Sequence, residues 1–515
     1  MATLNQKPNI KRNISERNDQ TLNYEKGVAF EISPKAKLYS MVASWLVKEP
    51  KFYKEKDEFD NIVGENQDEV IFDLIKEVLR TDPQFVIKLA IYARKKLYLR
   101  SAPEVLLCEA SLADQGKPKE LVRKATPHIV TRADQLANCI AYIQSKIGNI
   151  GDQSESGSLP ASLKRGLSDA FNNFNEYKLS KYNIQGRTVK LRDVVKIVHP
   201  KPKDKAQSAL YKKLMQDKLE IAKTWETIIS NGSSKESWTE AAKVMPYMAA
   251  LRNLRNLLQN DVDVKEIIKK LTDPTEVANS KQFPFRFFSA YKQVQEFTEN
   301  KQSNNVLNAI EKAIELSISN VPHLKGTTFI TSDNSGSMQS PISRNSSVQN
   351  IDIANLLMAI SNTICDESIC SVFGSEHQVV NLPSNGGVIA NMQRARNTQV
   401  GYATDAWKTV KYLRNNNIKV DRIILFSDMQ CYDSQRRGYR NDQSIYEELL
   451  KYKQTINPNV YTYSFDLAGY GTLQVPEKDK NSAMIAGWSD KILNYIPIFE
   501  SDSKTALQEI ENIVI

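Results

Sequence analysis

After Leu316 the hydrophobic periodicity of the chain changes, and that change constrains the fold more than any other feature. From about Asn23 to Val321 the apolar residues recur at helical spacing. Val86, Leu89, Ala90, Ala93 and Leu97 mark one helix face, Leu136, Cys139, Ile140 and Ile143 another, and Tyr247, Leu251, Leu254 and Leu258 a third. Short proline-bearing breakers separate these patterns: Asp82-Pro83, Ala102-Pro103, Thr126-Pro127, His199-Pro200-Lys201-Pro202, Asp273-Pro274 and Phe283-Pro284. Short helices joined by such turns predict a stacked array of α-helical repeats, although no fixed repeat length is visible. Beyond Leu316 the pattern alternates. Residues 327–332, 368–373, 422–427 and 460–465 read as buried strands, 351–364 and 406–414 as helices between them, and 491–496 and 504–513 as closing helices. That alternation predicts a doubly wound, mostly parallel α/β sheet. At 515 residues the chain has room for both.

The α/β part carries the chemistry. In TTFITSDNSGSM (327–338) an apolar run stops at Asp333, and Ser335 and Ser337 follow at alternate positions, so one tight turn can aim all three the same way. A carboxylate with two hydroxyls is a hard oxygen set of the kind Mg²⁺ prefers. Thr404, in Gly401-Tyr402-Ala403-Thr404-Asp405 just before a helical pattern, and Asp428, after the run Arg422-Ile423-Ile424-Leu425-Phe426-Ser427, sit likewise where a strand gives way to a helix. Open α/β sheets place ligands at those carboxyl ends. The Asp-x-Ser-x-Ser core with a later Thr and Asp resembles the metal-ion-dependent adhesion site of von Willebrand factor A domains. That resemblance implies direct ligation of Mg²⁺ or another divalent cation by Ser335, Ser337 and Thr404, with Asp333 and Asp428 acting through water. One position is left for a partner's carboxylate, which suits recognition rather than catalysis. There is no P-loop, no catalytic carboxylate pair and no Ser-His-Asp arrangement, so no enzyme is expected. His377 is expected at the surface.

Charge separates the two halves further. Residues 301–515 hold 20 Lys+Arg against 22 Asp+Glu, leaving 49 against 38 for residues 1–300, so the whole net charge of +9 arises in the first part. An excess of that kind suits a polyanionic partner. It concentrates in Arg187, Lys190, Arg192, Lys196, His199, Lys201 and Lys203, with Arg192, Lys196 and His199 at i, i+4 and i+7 on one helix face. Such a stripe neutralises phosphates with little sequence preference. Tyr177 and Tyr182 nearby are candidates to stack on unpaired bases. Lys164, Arg165 and Lys181 join the candidate set, with Arg123, Arg132 and Arg252 weaker. The alternative is a solvated helix face with the tyrosines in the core.

Other classes are not favoured. No apolar run approaches the ~20 residues of a membrane span, and the first 20 residues have no apolar core of a secretory signal, reading as a disordered basic tail. The five scattered cysteines lack zinc spacing and suit reduced packing residues in the cytoplasm. Residues 151–160 read as an exposed loop.

With a basic helical region followed by such an A domain, the chain resembles the Ro autoantigen (Ro 60 kDa, Rsr-like) family, the TROVE-domain RNA-binding proteins. Further motifs carry the likeness: Asn23-Tyr24-Glu25-Lys26-Gly27-Val28-Ala29-Phe30, Lys164-Arg165-Gly166-Leu167, Lys181-Tyr182 running on to His199-Pro200-Lys201-Pro202, Met245-Pro246 with Leu251-Arg252-Asn253-Leu254, and Phe283-Pro284-Phe285. It covers roughly residues 21–515. It implies a HEAT-like helical ring over residues 21–321, closed by the A domain over 322–515. Single-stranded 3′ ends of structured or misfolded RNAs would thread the ring, and a small noncoding Y-type RNA would bind the outer basic surface. A monomer in noncoding-RNA quality control, working with an exoribonuclease or another protein at the A domain, is the family expectation. Two departures stand out. Leu191 takes the place of a family histidine, and Ser427-Asp428-Met429-Gln430 keeps the ligand Asp but not the flanking acid of Thr-Asp-Asn-Glu. A metal-dependent protein-interaction scaffold is the alternative reading.

Overall fold

The computed structural model describes residues 20–23, 26–44, 67–113, 119–147, 158–183, 188–220, 224–230, 232–282, 284–297, 300–318, 321–342, 346–383, 385–435, 443–469, 472–476, 479, 481–486, 493, 495–502 and 506–515. The expected tail at 1–20, all but Gln20, and most of the expected loop at 151–160 lie outside them. The chain forms two compact units, 34–223 with 507–515, and 1–33 with 224–506. The expected boundary at 321/322 therefore falls inside one unit, because the helices before it pack on the α/β part: Lys292 is salt-bridged to Asp352 at 3.3 Å.

The first unit is helical: α1 (Pro34–Ser44), α2 (Gln67–Thr81), α3 (Pro83–Lys95), α4 (Ala102–Leu112), α5 (Lys119–Ile129), α6 (Ala133–Ile147), α7 (Ala161–Phe171), α8 (Glu176–Tyr182), α9 (Leu191–Val198) and α10 (Lys205–Met215). The breakers work mainly as caps. Asp82 accepts from the Phe85 amide at 3.1 Å with Pro83 in the first turn, and Asp273 of the second unit accepts from the Glu276 amide at 2.8 Å with Pro274 in the first turn. Thr126-Pro127 does not break the chain as expected; Pro127 lies inside the last turn of α5. There a Cβ on Gly166 of α7 would lie 2.3 Å from the Thr126 hydroxyl, so only glycine permits this approach of α7 to α5. The final residues belong here too: Glu511 pairs with Lys35 at 2.7 Å and Glu509 with Lys96 at 3.4 Å.

The second unit holds β1 (Gln20–Leu22), β2 (Val28–Glu31), helices α11 to α18 between Trp225 and Ile318, and then β3 (Leu324–Asp333), α19 (Asn350–Thr363), β4 (Cys365–Phe373), β5 (His377–Val379), α20 (Val388–Arg396), α21 (Trp407–Asn415), β6 (Arg422–Ser427), α22 (Ile445–Thr455), β7 (Tyr461–Asp466), β8 (Thr472–Leu473), β9 (Ser482–Ala486), α23 (Tyr495–Asp502) and the start of α24 (Ala506–Glu511). The helical pattern at 247–258 is interrupted at Asn253. The expected closing helices shift to α23 and α24, and residues 491 and 492 lie outside the described set.

The main sheet runs β5-β4-β3-β6-β7-β9 and is parallel except for β5. Register sorts its faces. Phe329, Ile423 and Leu425 point toward Val410 and Leu413 of α21 and Leu449 of α22, whereas Tyr461 and Tyr463 on the other parity meet Phe499 of α23 edge-on. Helices on both faces make the sheet doubly wound, as its alternation predicts.

The opening segment is an unforeseen part of this unit. β1, β2 and β8 form a small antiparallel sheet, Phe30 stacks edge-on against Tyr446 at 5.1 Å, and Asn23 donates to the Cys431 carbonyl at 2.6 Å. A Cβ on Gly27 would lie 2.2 Å from that same carbonyl oxygen, so the entry into β2 needs its glycine for a close approach. All five cysteines are buried free thiols. Among the described residues no helix is long and apolar enough to cross a membrane.

Candidate functional site

Asp333 ends β3, and its two oxygens are fixed by different elements. Oδ1 accepts from the Ser335 amide at 2.9 Å, and Oδ2 accepts from the Ser427 hydroxyl of β6 at 2.6 Å. The Ser335 and Ser337 hydroxyls lie 3.2 Å apart, and Ser337 is hydrogen-bonded to Asp428. The loop bearing Thr404 is tied to the same turn, since the Gly336 amide donates to the Tyr402 carbonyl at 2.9 Å. Four of the five predicted residues are buried, and Ser337 faces solvent. The structure thus brings Asp333, Ser335, Ser337 and Asp428 into one hydrogen-bonded cluster, with Thr404 on an adjoining loop.

The electrostatics suit a cation. Burial raises the Asp333 carboxyl to about 6. Burial and then the facing Asp333 charge raise Asp428 to about 7. Among the described residues no lysine or arginine is paired with either carboxylate. Two buried acids facing each other, ringed by hydroxyl oxygens, fit a hard divalent ion better than either a proton or a basic side chain.

Sequence reasoning missed three supports. Ser427 holds Asp333, Asp405 locks the 434 turn by accepting from both the amide and the hydroxyl of Ser434 at 2.7 and 2.6 Å, and Asp466 at the end of β7 adds a third negative charge near Asp428. Ser427 and Asp466 end strands, and that position was the available signal; Thr404 and Asp405 instead lie between α20 and α21, so the expected strand before Thr404 is a helix. His377 is not a surface residue as expected. It lies on β5 with its ring 4.9 Å from Tyr412 and 6.2 Å from Phe329, and burial lowers its imidazole to about 4.

The described predicted basic residues lie on α7, α8, α9 and the segments flanking α9, and ion pairs bind α8, α9 and α10 together. Lys213 of α10 pairs with Glu176 of α8 at 3.0 Å, and Arg192 of α9 pairs with Asp217 just past α10 at 2.7 Å. Lys203 reaches the Asn172 carbonyl at 3.4 Å. Of the predicted set, Lys164, Arg165, Lys181, Lys190, Lys196 and Lys201 have no ion pair among the described residues, and Arg165, Lys196, His199 and Lys201 are exposed. Arg192 does not present a free charge beside Lys196, because Asp217 occupies it. His199 caps α9 in the left-handed conformation, φ 50°, rather than continuing its face. Arg187 lies outside the described residues. The tyrosines differ: Tyr177 is 54 % exposed, whereas Tyr182 is half-buried with the Arg132 guanidinium 4.7 Å over its ring.

The profile of the TROVE domain matches residues 33–217 and 213–315, more than half of the chain. The chain belongs to the TROVE family. The crystal structure of the Ro (Rsr) protein of Deinococcus radiodurans has the same fold, with a TM-score of 0.61 at 15 % identity over 89 % of this chain and 99 % of that one. Telomerase protein component 1 of Mus musculus is 25 % identical over 304 residues, 43 % of this chain, and that of Rattus norvegicus 25 % over 293 residues, 41 % of it. This TROVE protein spans 11 % of the length of either. Of its two departures from the Ro pattern, Leu191 is buried at the start of α9. Gln430, in place of the flanking acid, is likewise buried, and its amide donates to Asp428 Oδ1 at 3.1 Å.

Proposed function

We propose that this TROVE protein is a non-catalytic RNA-binding protein that holds small noncoding RNA on the α7–α10 surface as a ribonucleoprotein. The observation that carries the reading is a set of cations, Arg165, Lys196 and Lys201 foremost, left exposed and unpaired on one helical body. Unpaired surface cations attract an anionic polymer, and phosphate contact releases counterions. Y-type RNA and single-stranded 3′ ends of structured or misfolded RNAs are the proposed ligands, and noncoding-RNA quality control in the cytoplasm is the proposed setting, with the protein as a monomer.

The α/β part is proposed to hold Mg²⁺ through Ser335, Ser337 and Thr404, with Asp333 and Asp428 supplying compensating charge. Its fixed ring of oxygens would orient a carboxylate from a docking protein, such as an exoribonuclease. That second reading, a protein dock, is favoured by one observation: Tyr402, on the loop tied to the metal turn, is 76 % exposed.

The test is RNA binding across a salt series, with one hairpin carrying a single-stranded 3′ tail and the same hairpin without it. Affinity that falls steeply with salt, and tighter binding of the tailed RNA, is the expected outcome. Absence of binding to either RNA at moderate salt would remove the RNA reading and leave the protein dock.

A further inference from the structure

Tyr177 is the one tyrosine of its unit left exposed among the described residues. Leaving a large aromatic ring in water forgoes the stabilisation of burying it, and nothing about α8 requires that. The helix is anchored inward by buried Leu179 and held by its neighbours on the same turn: Glu176 accepts from Lys213 and from the Glu220 amide at 3.2 Å, and Ser180 donates to the Glu220 carbonyl. Asn175 caps the first turn by accepting from the Lys178 amide at 3.0 Å. The ring is therefore displayed from a braced helix.

Its surroundings are cationic. Lys178 is exposed beside it, and Lys181 is four residues on, hence on the same helix face. Neither lysine has an ion pair among the described residues. Tyr182, the other aromatic candidate, is already covered by Arg132, itself clamped by Asp134 at 3.0 and 2.5 Å. An exposed π-face with ammonium groups one and four residues away, neither in an ion pair among the described residues and that of Lys181 5.8 Å over the Tyr182 ring, matches a nucleotide: a base against the ring, its flanking phosphates against the lysines.

We infer that Tyr177 is the stacking platform for an unpaired nucleobase, with Lys178 and Lys181 holding the adjoining phosphates. The inference rests on the RNA-binding reading above and adds to it a subsite that selects single-stranded over paired segments, since a base inside a duplex has no free face to offer.

The test uses the full chain and a hairpin whose single-stranded tail carries 2-aminopurine, beside the blunt hairpin. With the wild-type chain and Tyr177→Phe, binding should quench the 2-aminopurine. Tyr177→Ala should abolish the quench and weaken the tailed RNA roughly 5- to 150-fold. It should leave blunt-hairpin affinity, the salt slope and the thermal midpoint unchanged, because it removes neither a charge nor a packed side chain. Tyr177→Leu, apolar but without a π-face, should behave like Ala. If wild type binds the tailed RNA and Tyr177→Ala binds it equally well, the platform is overturned while the RNA reading stands. If wild type binds neither hairpin, both fall. If Tyr177→Ala and Tyr177→Leu weaken both hairpins alike, the ring serves the surface generally and the single-strand selectivity is wrong.

Discussion

The two candidate regions solve recognition in opposite ways. At the carboxyl ends of β3 and β6 the polar atoms are buried and fixed before anything binds: Asp333 has a partner on each oxygen and Asp428 is held by Ser337 and the Gln430 amide. On α7–α10 the candidate groups lie at or near the surface, and most are long side chains with no ion pair among the described residues. A fixed cluster of hard oxygens would select one small ion by geometry. A field of surface cations would accept a polymer by charge and, on the inference above, leave selectivity to occasional features such as Tyr177. Even the ion pairs follow this division: Arg422 is buried against Glu500 in the α/β part, while Arg192 and Asp217 meet in solvent.

The largest expected effect sharpens that division. Glu500 accepts from Arg422 Nε and Nη2 at 2.7 and 2.8 Å and from the Tyr463 hydroxyl at 3.1 Å. Glu500→Ala leaves the buried guanidinium without its carboxylate and should destabilise the α/β part by about 3–5 kcal/mol. Denaturant unfolding monitored with a probe in that part checks it, and a loss below about 1 kcal/mol would mean the pair behaves like a surface one.

Metal addition comes next. Mg²⁺ at a hundredfold excess over its Kd should stabilise the protein by about 2.7 kcal/mol, with chelator reversing the gain. Asp333→Asn should remove the response without weakening the metal-free protein, because the amide relieves the repulsion with Asp428. An undiminished Mg²⁺ response in this variant would break the assignment of Asp333.

On the helical unit the effects become electrostatic. The Lys196→Ala/Lys201→Ala double variant should weaken all RNAs alike and make the slope of log affinity against log salt shallower by about two. An unchanged slope would place the phosphates elsewhere.

The cluster of Asp333, Ser335, Ser337 and Asp428 was far more legible in sequence than the basic surface. Asp333, Ser335 and Ser337 lie in one turn, so their convergence follows from local backbone, and Asp428 follows from strand order. The strand and helix alternation fixed the sheet for the same reason: period 2 and period 3.6 are local signals. What escaped was non-local. Nothing near Asn23 or Phe30 says that the opening segment packs against Cys431 and Tyr446, some four hundred residues on. Nothing in the run from Arg187 to Lys203 says that Asp217 neutralises Arg192, or that α9 ends at His199. Helical spacing placed three charges on one face, but it could not say which of them tertiary structure would leave free.

The smallest predicted effect tests that last point. Arg192 stands at the middle of the basic run and by spacing alone would be as good a phosphate ligand as Lys196. Its Nη1 is 2.7 Å from Asp217, with side chains 37 % and 57 % exposed. An exposed pair of this kind is worth about 0–1 kcal/mol, so Arg192→Ala should barely move the thermal midpoint. Its effect on RNA affinity should also be smaller than that of Lys196→Ala, because Arg192 must first leave Asp217 to meet a phosphate. Asp217→Ala makes the argument two-sided. Freeing the guanidinium and removing a negative charge should strengthen RNA binding, and Arg192→Ala made on that background should then cost as much as Lys196→Ala does. Equal losses for Arg192→Ala and Lys196→Ala in the otherwise unaltered chain would show that the pair opens freely on binding, and the line drawn here between paired and free cations would disappear.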